Sequence, residues 1–534
     1  MSSEAKFDYI VIGAGSAGCV VARRLIEQNY RVLIIEAGGS DFSPYIHIPM
    51  GYGKLFKNKK LNWCYEGEPE PFLNNRKSYQ PRGKVLGGTG SINGMIYVRG
   101  QAEDFDAWKE MGCEDWGYQD VLPYFKKSEH QVRGKSFYHG INGPLWVSDL
   151  PSRDELADAF IESSHSLGSP YNDDFNGESQ EGTGYYQVTT KNNKRWSPAQ
   201  AFLRNHNKNN YLKIQKDTLV TKIIIENKVA KGVECLVGNQ IISFYANKEI
   251  ILSGGTINSP QLLMLSGIGD GGHLTDRNVP VQLDLPGVGK KLQDHFGVVT
   301  EYKCNKPITV NDLYHSNTKR VMAALRYFFF KSGPLASNGN YANTFIKTSE
   351  NFTTPDMMIS FMAWCTGEDL GEPRPFSAFT VLAEHSRPES RGEIKLKSPN
   401  PTDHPSIQFN FFESVNDRRA IVEGVKYARK IAQTKPLNDY VINEISPGPS
   451  IQTDQEIESY CQEVGGSLLH CVGTCSMGIN KENVVDTRLR VKGIDNLRVI
   501  DASIMPKIVS GNTQAATIMI AEKGSEYIIK DSKN

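Results

Sequence analysis

The sequence predicts an α/β protein in which a β-rich domain is inserted between separated segments of a nucleotide-binding domain. Three observations predict this arrangement. At the N-terminus, the almost wholly apolar segments Phe7–Ile12 and Arg31–Glu36 enclose a glycine turn and a helical pattern, which is typical of a strand–helix–strand unit. A further apolar strand, Glu249–Ser253, follows much later in the chain. Alternating β patterns then occupy residues 298–460.

Composition narrows the class of protein. The 534 residues suggest two or three domains. Lys plus Arg and Asp plus Glu both number 60, so no charge excess indicates a nucleic-acid partner. Nine cysteines without a Cys-x-x-Cys pair predict reduced thiols, and the N-terminus lacks a signal-peptide pattern. We therefore expect a cytoplasmic protein, with peripheral contact with the inner membrane left open.

No stretch reaches the ~20 apolar residues of a membrane-spanning helix. The nearest approach is Val321–Phe330, which is short and contains Arg326. The run Phe328–Phe330 within it could form an interface, but such residues are more often part of a core. The sequence thus predicts no integral membrane segment and places these phenylalanines inside the protein.

The first motif is the glycine turn of the N-terminal unit. Gly13 permits a tight turn, Gly15 lets the backbone approach a pyrophosphate, and Gly18 allows close helix–strand packing. Glu36 ends the second strand, where a carboxylate accepts hydrogen bonds from an adenosine ribose. The motif predicts a dinucleotide site but does not distinguish FAD from NAD. The residues expected to contact the ligand here are Gly13, Gly15, Ser16, Ala17, Gly18, Glu36 and Ala37.

Four later motifs are also rich in glycine or polar residues. Pro81–Gly94 interleaves five glycines with apolar residues, as expected of backbone that wraps a ligand closely. Gly254–Gly269 combines a strand end, a glycine turn and a short helix. His470–Gly478 carries a histidine in a glycine-containing loop, and Asp501–Pro506 is soon followed by Gly511-Asn512-Thr513. Alone, Gly254–Gly269 is a weak signal that could also be a plain helix cap, and a lone histidine is more often structural than catalytic.

Taken together, the order and spacing of these five motifs resemble the glucose–methanol–choline (GMC) oxidoreductases, in their choline dehydrogenase-like branch, over essentially the whole chain. The resemblance implies a Rossmann-type FAD-binding domain and a substrate-binding domain built on a large antiparallel sheet. It assigns residues 1–155, 211–300 and 461–534 to the FAD domain, and residues 156–210 and 301–460 to the substrate domain.

The same resemblance implies the site residues. His470 and Asn512 match the family's catalytic pair, with Asn where many members have a second histidine. No metal is expected, since Cys471 and Cys475 beside His470 lack further ligands nearby in sequence. The remaining implied FAD contacts are Trp63, Val85, Gly88, Thr89, Asn93, Gly94, Met95, Ile96, Val220, Gly254, Asp501, Ala502, Asn512, Thr513 and Gln514.

The implied reaction is oxidation of a primary alcohol to the aldehyde. His470 is expected to accept the hydroxyl proton while hydride passes to flavin N5, and Asn512 to hold the alcohol oxygen. The helix starting near Gln514 is expected to direct its N-terminus at the flavin. An electron acceptor, which could be a quinone, another carrier or O2, is also implied.

Two departures refine this expectation. Ile92 stands where flavin-linked choline oxidases carry a tethering histidine, so FAD is expected to be noncovalent. Choline-oxidising relatives place a glutamate just after the Asp-His pair, whereas Asp294-His295 is followed here by Phe296-Gly297, and Leu468-Leu469 precede His470. The sequence therefore favours an uncharged aliphatic or aryl alcohol. The alternatives are a choline dehydrogenase, with a carboxylate supplied by the inserted domain, and a redox-silent FAD-containing hydroxynitrile lyase.

Overall fold

Two seven-stranded sheets organise the protein. The computed structural model describes residues 7–206, 209–367 and 372–533. The strands of the two sheets, in chain order, are β1 (Phe7–Ile12), β2 (Val32–Ile35), β3 (Gly182–Tyr185), β4 (Leu212–Gln215), β5 (Leu219–Glu226), β6 (Val229–Val237), β7 (Gln240–Leu252), β8 (Phe296–Cys304), β9 (Asn340–Ile346), β10 (Met357–Met362), β11 (Ala378–His385), β12 (Val441–Ser446), β13 (Gly466–Ser467) and β14 (Leu497–Val499).

The helices lie around these sheets. They are α1 (Ser16–Ile26), α2 (Pro44–His47), α3 (Ala102–Glu110), α4 (Tyr118–Ser128), α5 (Glu155–Ser166), α6 (Gly255–Leu265), α7 (Gly271–Asp276), α8 (Val310–Tyr314), α9 (Asn317–Phe330), α10 (Val415–Gln433), α11 (Asp454–Val464) and α12 (Thr513–Asp531). Within the described ranges, no helix combines the length and apolarity needed to cross a membrane.

The first sheet has the strand order β4–β2–β1–β7–β6–β5, with β14 also pairing with β7. Strand β7 belongs to two environments. Its first half pairs antiparallel with β6, while Ile250–Leu252 pair in parallel with both β1 and β14. Asn227 and Lys228 both adopt positive φ and form the hairpin turn between β5 and β6. The strands β4, β2, β1, β7 and β14 therefore form a Rossmann-type parallel sheet, as predicted.

Glycine fixes the junction between β1 and α1. Gly13 has φ +94°, a conformation that favours glycine. A Cβ on Gly18 would lie 1.9 Å from the carbonyl oxygen of Gly13, so no side chain fits there. This close approach brings the N-terminus of α1 directly over the carboxyl end of the parallel sheet, where ligands bind in such folds.

The second sheet is wholly antiparallel, as the resemblance implied. Its order is β12–β8–β11–β10–β9–β3, and β13 pairs with the start of β8. Because β8 begins at Phe296 and β13 lies at Gly466–Ser467, this sheet uses residues on the FAD-domain side of the boundaries expected at 300 and 461. In β11, Glu384 is paired with Gly297 of β8 and Met358 of β10, which places it in the middle of the sheet.

One region differs clearly from prediction. The phenylalanines Phe328, Phe329 and Phe330 are 67–76% exposed, so the expectation that they belong to the core was wrong. They lie at the end of α9, which buries only Ala323 and Tyr327. The apolar composition of α9 could not show that the helix packs against the rest of the protein along only a narrow face.

Candidate active site

A large cavity, with a volume of about 410 Å³, is lined by residues of both the parallel sheet and the antiparallel sheet. All five motifs contribute to its wall. Of the predicted site residues, the structure brings to this cavity Gly13, Gly15, Ser16, Ala17, Glu36, Ala37, Trp63, Gly88, Thr89, Asn93, Gly94, Met95, Ile96, Val220, Gly254, His470, Asp501, Ala502, Asn512, Thr513 and Gln514.

Two predicted contacts, Gly18 and Val85, are not part of the cavity wall. Gly18 packs against Gly13 within the β1–α1 turn, as described above. Val85 is fully buried in a small cluster with Ile46, Leu55 and Ile92 behind the second motif. Both residues therefore support the shape of the cavity from behind.

The dinucleotide end of the cavity is built mainly from backbone. Helix α1 begins at Ser16 without a side-chain cap or an acidic residue in its first turn, so its N–H groups are available to an anion. Gly15 leaves open space where a Cβ would stand. The carboxylate of Glu36 accepts hydrogen bonds from the backbone N–H groups of Ala14 at 2.9 Å and Gly38 at 2.8 Å. Burial raises the pKa of Glu36 to about 7, although these two hydrogen bonds oppose the rise.

The second motif and α12 meet at the other end of the cavity. Helix α12 starts at Thr513, again without a side-chain cap or an acidic first turn. The Gln514 Oε1 atom accepts a hydrogen bond of 2.8 Å from Asn93 Nδ2. The buried guanidinium of Arg195 donates to the side chain and the backbone carbonyl of Asn93, at 2.8 and 2.6 Å. These contacts hold the glycine-rich second motif against the N-terminus of α12, the positive end of its dipole.

The carboxylate of Asp501 is engaged within the protein. It accepts hydrogen bonds from Gly255 N at 2.9 Å, Ser259 Oγ at 2.6 Å and Ser503 N at 2.8 Å. Asp501 therefore fastens the third motif to the fifth. Asp501 lines the cavity where the cofactor is expected. Its carboxylate, however, already accepts hydrogen bonds from three groups of the protein.

The loop that carries His470 is held from two directions. Arg82 of the second motif donates to the carbonyl oxygen of Leu469 at 2.6 Å and to Cys471 Sγ at 2.8 Å. The backbone N–H of His470 donates to Asp294 Oδ1 at 2.7 Å. Leu469 has φ +67°, a left-handed conformation that costs ~1–3 kcal/mol in a residue other than glycine and is most often found at functional sites.

The imidazole of His470 links the cavity to two buried groups. Its Nδ1 lies 3.0 Å from His295 Nδ1 and 3.5 Å from Glu384 Oε1, while His295 Nδ1 lies 3.0 Å from the same carboxylate oxygen. His295 is fully buried, Glu384 is 2% exposed, and His470 reaches the cavity. The potential ligand atoms of the three residues all lie within 4.8 Å of one another, a set that could also hold a metal ion.

The charges of this group are determined by their mutual contacts. Burial favours the neutral form of Glu384, but His295 and His470 outweigh it and lower the carboxyl pKa to about 2. Burial likewise opposes charge on His295, yet Glu384 and Asp294 raise the pKa of that imidazole above its ordinary value. The cavity therefore has a permanent carboxylate behind His470, compensated by a neighbouring imidazole.

Asn512 completes the catalytic end of the cavity. Its Nδ2 lies 2.9 Å from His470 Nε2, and its Oδ1 is buried without a hydrogen-bond partner. The structure thus brings together the two residues assigned to catalysis, although 42 positions separate them in the chain. A buried polar atom without a partner is rare in proteins, so Asn512 Oδ1 is available to a polar ligand.

The antiparallel sheet and the His470 loop contribute aliphatic and thioether side chains to the cavity wall, beside the polar Asn340 and Ser360. Met358, Met362 and Leu382 belong to strands β10 and β11, and Leu468 lies in the His470 loop. Among the described residues, Glu384 is the one acidic side chain that this sheet contributes to the wall, and its carboxylate contacts the two histidines.

Sequence reasoning missed the two residues behind His470. His295 was considered only as half of an Asp-His pair, and Glu384 only as one residue of the β patterns in 298–460. A signal existed, since Glu384-His385 closes an apolar strand in which a charged residue needs a partner. The partner itself could not be found, because 86 residues separate Glu384 from His470 and the pairing of β8 with both β11 and β13 brings them together.

The fold and the cavity define a dinucleotide-dependent oxidoreductase, and comparison with known proteins identifies its family. Models of the GMC oxidoreductase match residues 7–297 and 388–521, so the chain belongs to the GMC oxidoreductases. It is 39% identical to the alcohol dehydrogenase [acceptor] of Pseudomonas putida, covering 98% of this chain and 96% of that protein. It is 40% identical to the oxygen-dependent choline dehydrogenase of Sinorhizobium fredii, covering 98% and 95% respectively.

A solved structure shows the same architecture. The crystal structure of pyridoxine 4-oxidase from Mesorbium loti is 28% identical and superposes with a TM-score of 0.89, covering 98% of this chain and 99% of that one. These similarities confirm the predicted family and fold class. The protein is an FAD-dependent oxidoreductase that acts on CH–OH donors.

Proposed function

We propose that the protein oxidises an uncharged primary alcohol, aliphatic or aryl, to the aldehyde, with His470 as the base. The observation that carries this proposal is the orientation of His470. Its Nε2 is directed at the cavity and at Asn512, while its Nδ1 is directed at Glu384 and His295. A neutral imidazole held in this way presents Nε2 to the substrate as the proton acceptor.

The Asn512 amide N–H donates to His470 Nε2. An alcohol placed between the two side chains would take over this N–H and leave the Nε2 lone pair for the hydroxyl proton. The Asn512 N–H would then stabilise developing alkoxide charge on the alcohol oxygen. The carboxylate of Glu384, 3.5 Å from His470 Nδ1, would stabilise the imidazolium that forms.

The residues at the other end of the cavity fit FAD. The uncapped N-termini of α1 and α12 and the carboxylate of Glu36 would hold the pyrophosphate, the flavin and the ribose respectively. Bound FAD supplies the hydride acceptor for the alcohol carbon. We propose noncovalent binding, since Ile92 lines the cavity where a tether would need a nucleophile. Acid precipitation should then release yellow flavin into the supernatant, whereas flavin retained in the pellet would contradict noncovalent binding.

The cavity wall supports the uncharged substrate. Met358, Met362, Leu382 and Leu468 offer apolar surface to a hydrocarbon chain or ring, and an ammonium group there would lose its hydration without gaining a free carboxylate.

We further propose that the enzyme works in the cytoplasm, in peripheral contact with the inner membrane.

Choline is the second candidate, because a relative at 40% identity is named a choline dehydrogenase and Glu384 is a carboxylate on the inserted domain. We rank it lower because that carboxylate already contacts two imidazoles.

The decisive experiment is anaerobic mixing of the FAD-loaded protein with primary alkanols, benzyl alcohol and choline, followed by flavin absorbance. We expect rapid bleaching with the uncharged alcohols and slower bleaching with choline. A higher specificity constant for choline than for every uncharged alcohol would overturn the substrate proposal. Absence of bleaching with all alcohols, together with cleavage of a hydroxynitrile, would indicate the lyase alternative instead.

A further inference from the structure

The outer face of α9 exposes an unusual amount of apolar surface. Its six large apolar side chains are 53–76% exposed, and they define what we call the α9 patch: Val321, Met322, Leu325, Phe328, Phe329 and Phe330. Contiguous apolar surface of this kind on a water-soluble face normally marks an interaction site. The patch is also fixed in place, since Tyr327 Oη donates to the carbonyl oxygen of Asn193 and Asn193 Nδ2 donates to that of Lys331.

Basic side chains surround the α9 patch. Lys319, Arg320, Arg326 and Lys331 belong to the same helix and its cap. No Asp or Glu occurs anywhere in residues 313–349, although the whole chain has a net charge of zero. The apolar centre therefore has a border of basic side chains on α9 and its cap.

A second basic segment lies alongside. Lys54 places its Nζ 5.2 Å from the ring centre of Tyr314, at the end of α8, which is joined to α9. Lys57, Lys59 and Lys60 follow it and are exposed, and residues 42–65 also contain no acidic residue. Basic side chains thus continue from α9 onto this neighbouring loop, and Glu372, which accepts a hydrogen bond from Tyr314 Oη at 3.2 Å, is the acidic residue at this junction among those described.

The arrangement of charge is unfavourable for the helix itself. Lys319 and Arg320 lie in the first turn of α9, where the helix dipole favours acidic residues, and the last turn has no basic residue within the helix. Helix stability therefore does not explain these side chains. Attraction of an anionic surface does explain them.

We infer that the α9 patch and its basic border bind the surface of an anionic lipid bilayer. An apolar face rimmed by Lys and Arg is the pattern of a helix that lies in the membrane interface, with its aromatic residues among the acyl chains and its cations at the headgroups. A second copy of this chain is a poorer occupant, because a two-fold contact would place one cationic border against another.

This inference deepens the proposed location of the enzyme and rests on it. The chain leads from α9 through residues 334–336 into β9, whose first residue, Asn340, lines the cavity together with Phe56. Asn340 Nδ2 also donates to Tyr52 Oη at 3.2 Å. Membrane contact at α9 would therefore bring the bilayer to the side of the protein where β9 and the 49–60 loop enclose the substrate end of the cavity. A lipophilic alcohol or a lipid-soluble acceptor could then reach the cavity from the bilayer.

Vesicle sedimentation of the FAD-loaded protein tests this inference. The probes are vesicles of phosphatidylcholine alone and vesicles with about 30% phosphatidylglycerol, which carry a negative surface potential. We expect the wild type to sediment with the anionic vesicles at least about tenfold more strongly than with the neutral ones, and more weakly at high salt. The triple variant Phe328→Ser, Phe329→Ser, Phe330→Ser and the double variant Arg320→Glu, Arg326→Glu should each lose about tenfold in binding or more. Ile241→Ser and Lys435→Glu, at exposed positions elsewhere, should bind like the wild type.

The outcomes are distinguishable. Wild-type protein that stays in the supernatant with anionic vesicles would overturn the inference, as would undiminished binding of the triple serine variant. Light scattering that shows a dimer separated by the same substitution, without vesicle binding, would identify a second copy as the occupant and also overturn it. Flavin reduction by a water-soluble alcohol, measured without vesicles, reports on the proposed reaction independently and should be unchanged in every variant.

Discussion

The two ends of the cavity are built in different ways. At the dinucleotide end, backbone N–H groups of one turn, the uncapped start of α1 and one carboxylate lie within residues 13–38. At the catalytic end, the side chains of His295, Glu384, His470 and Asn512 come from four separate segments of the chain. The first end depends on local conformation, and the second depends on strand pairing within the antiparallel sheet and on the position of α12 beside it.

This difference predicts that the two ends will respond differently to substitution. Changes at the catalytic end should alter flavin reduction while FAD stays bound, because no backbone contact to the dinucleotide is removed. Changes at the dinucleotide end should alter FAD retention while the chemistry of the loaded enzyme stays nearly normal. A variant that lowers FAD retention and the rate of flavin reduction to the same extent would contradict this distinction between the two ends.

The largest effect is expected at His470. His470→Ala should fold and bind FAD, since the ring reaches the cavity, but flavin reduction by alcohol should slow by roughly 100- to 10,000-fold, the usual contribution of a positioned general base. Anaerobic stopped-flow absorbance measures the rate, and the flavin-to-protein absorbance ratio measures cofactor content. His315→Ala, at an exposed histidine, serves as the control. Reduction of His470→Ala at close to the wild-type rate would exclude His470 as the base.

The same contrast explains what the sequence could predict. The glycine turn, Glu36 and the start of α1 were predictable, because each follows from residues close together in the chain. His470 and Asn512 were found only through resemblance to a family, since neither residue has a local pattern that reveals its role. The charged partners of His470 were not found, because the β8–β11 register that unites them is a property of the folded sheet. For the same reason the exposure of α9 was not foreseen.

Glu384 should give the next largest effect. Glu384→Gln keeps the size of the side chain but removes the charge behind His470, and we expect a loss of roughly 10- to 100-fold in activity, as for carboxylates that orient metal-bound histidines. FAD content should be unchanged. Glu482→Gln, at a side chain that is 77% exposed, is the matched control. If Glu384 merely fills space, Glu384→Gln should reduce flavin as fast as the wild type.

The lowered pKa of Glu384 provides a second test, which distinguishes a role of its charge from a purely steric role. Its folded-state pKa of about 2 lies below the ordinary value of 4.5, so ionisation stabilises the fold above pH 4.5 and this contribution is lost as the pH falls towards 2. The difference in thermal stability between the wild type and Glu384→Gln should therefore shrink as the pH is lowered through this window. A difference that is constant with pH would show that the carboxylate charge contributes nothing.

The smallest effects are expected at the dinucleotide end. Glu36→Ala removes one charge-assisted acceptor, worth about 1.5 kcal/mol at the lower end of its range, which corresponds to about tenfold weaker FAD binding. The lower end applies because Ala14 and Gly38 already share the carboxylate. Fluorescence titration of apoprotein with FAD measures the affinity, with Glu66→Ala on the surface as the control. The variant saturated with FAD should be reduced by alcohol at nearly the wild-type rate.

The pKa of Glu36 makes this last prediction sharper. Burial raises that pKa to about 7, so near neutral pH part of the unliganded protein holds a neutral carboxyl group. Ribose hydroxyls donate more strongly to a carboxylate than to a carboxylic acid, so FAD binding should favour the ionised form. FAD affinity of the wild type should then fall as the pH drops through 7, by less than about tenfold between roughly pH 8 and pH 6, since one proton is involved. Glu36→Gln cannot ionise, and its affinity should not change over the same range. If the wild type and Glu36→Gln show the same pH dependence, the carboxylate does not bind the ribose, and the dinucleotide end is held by backbone alone.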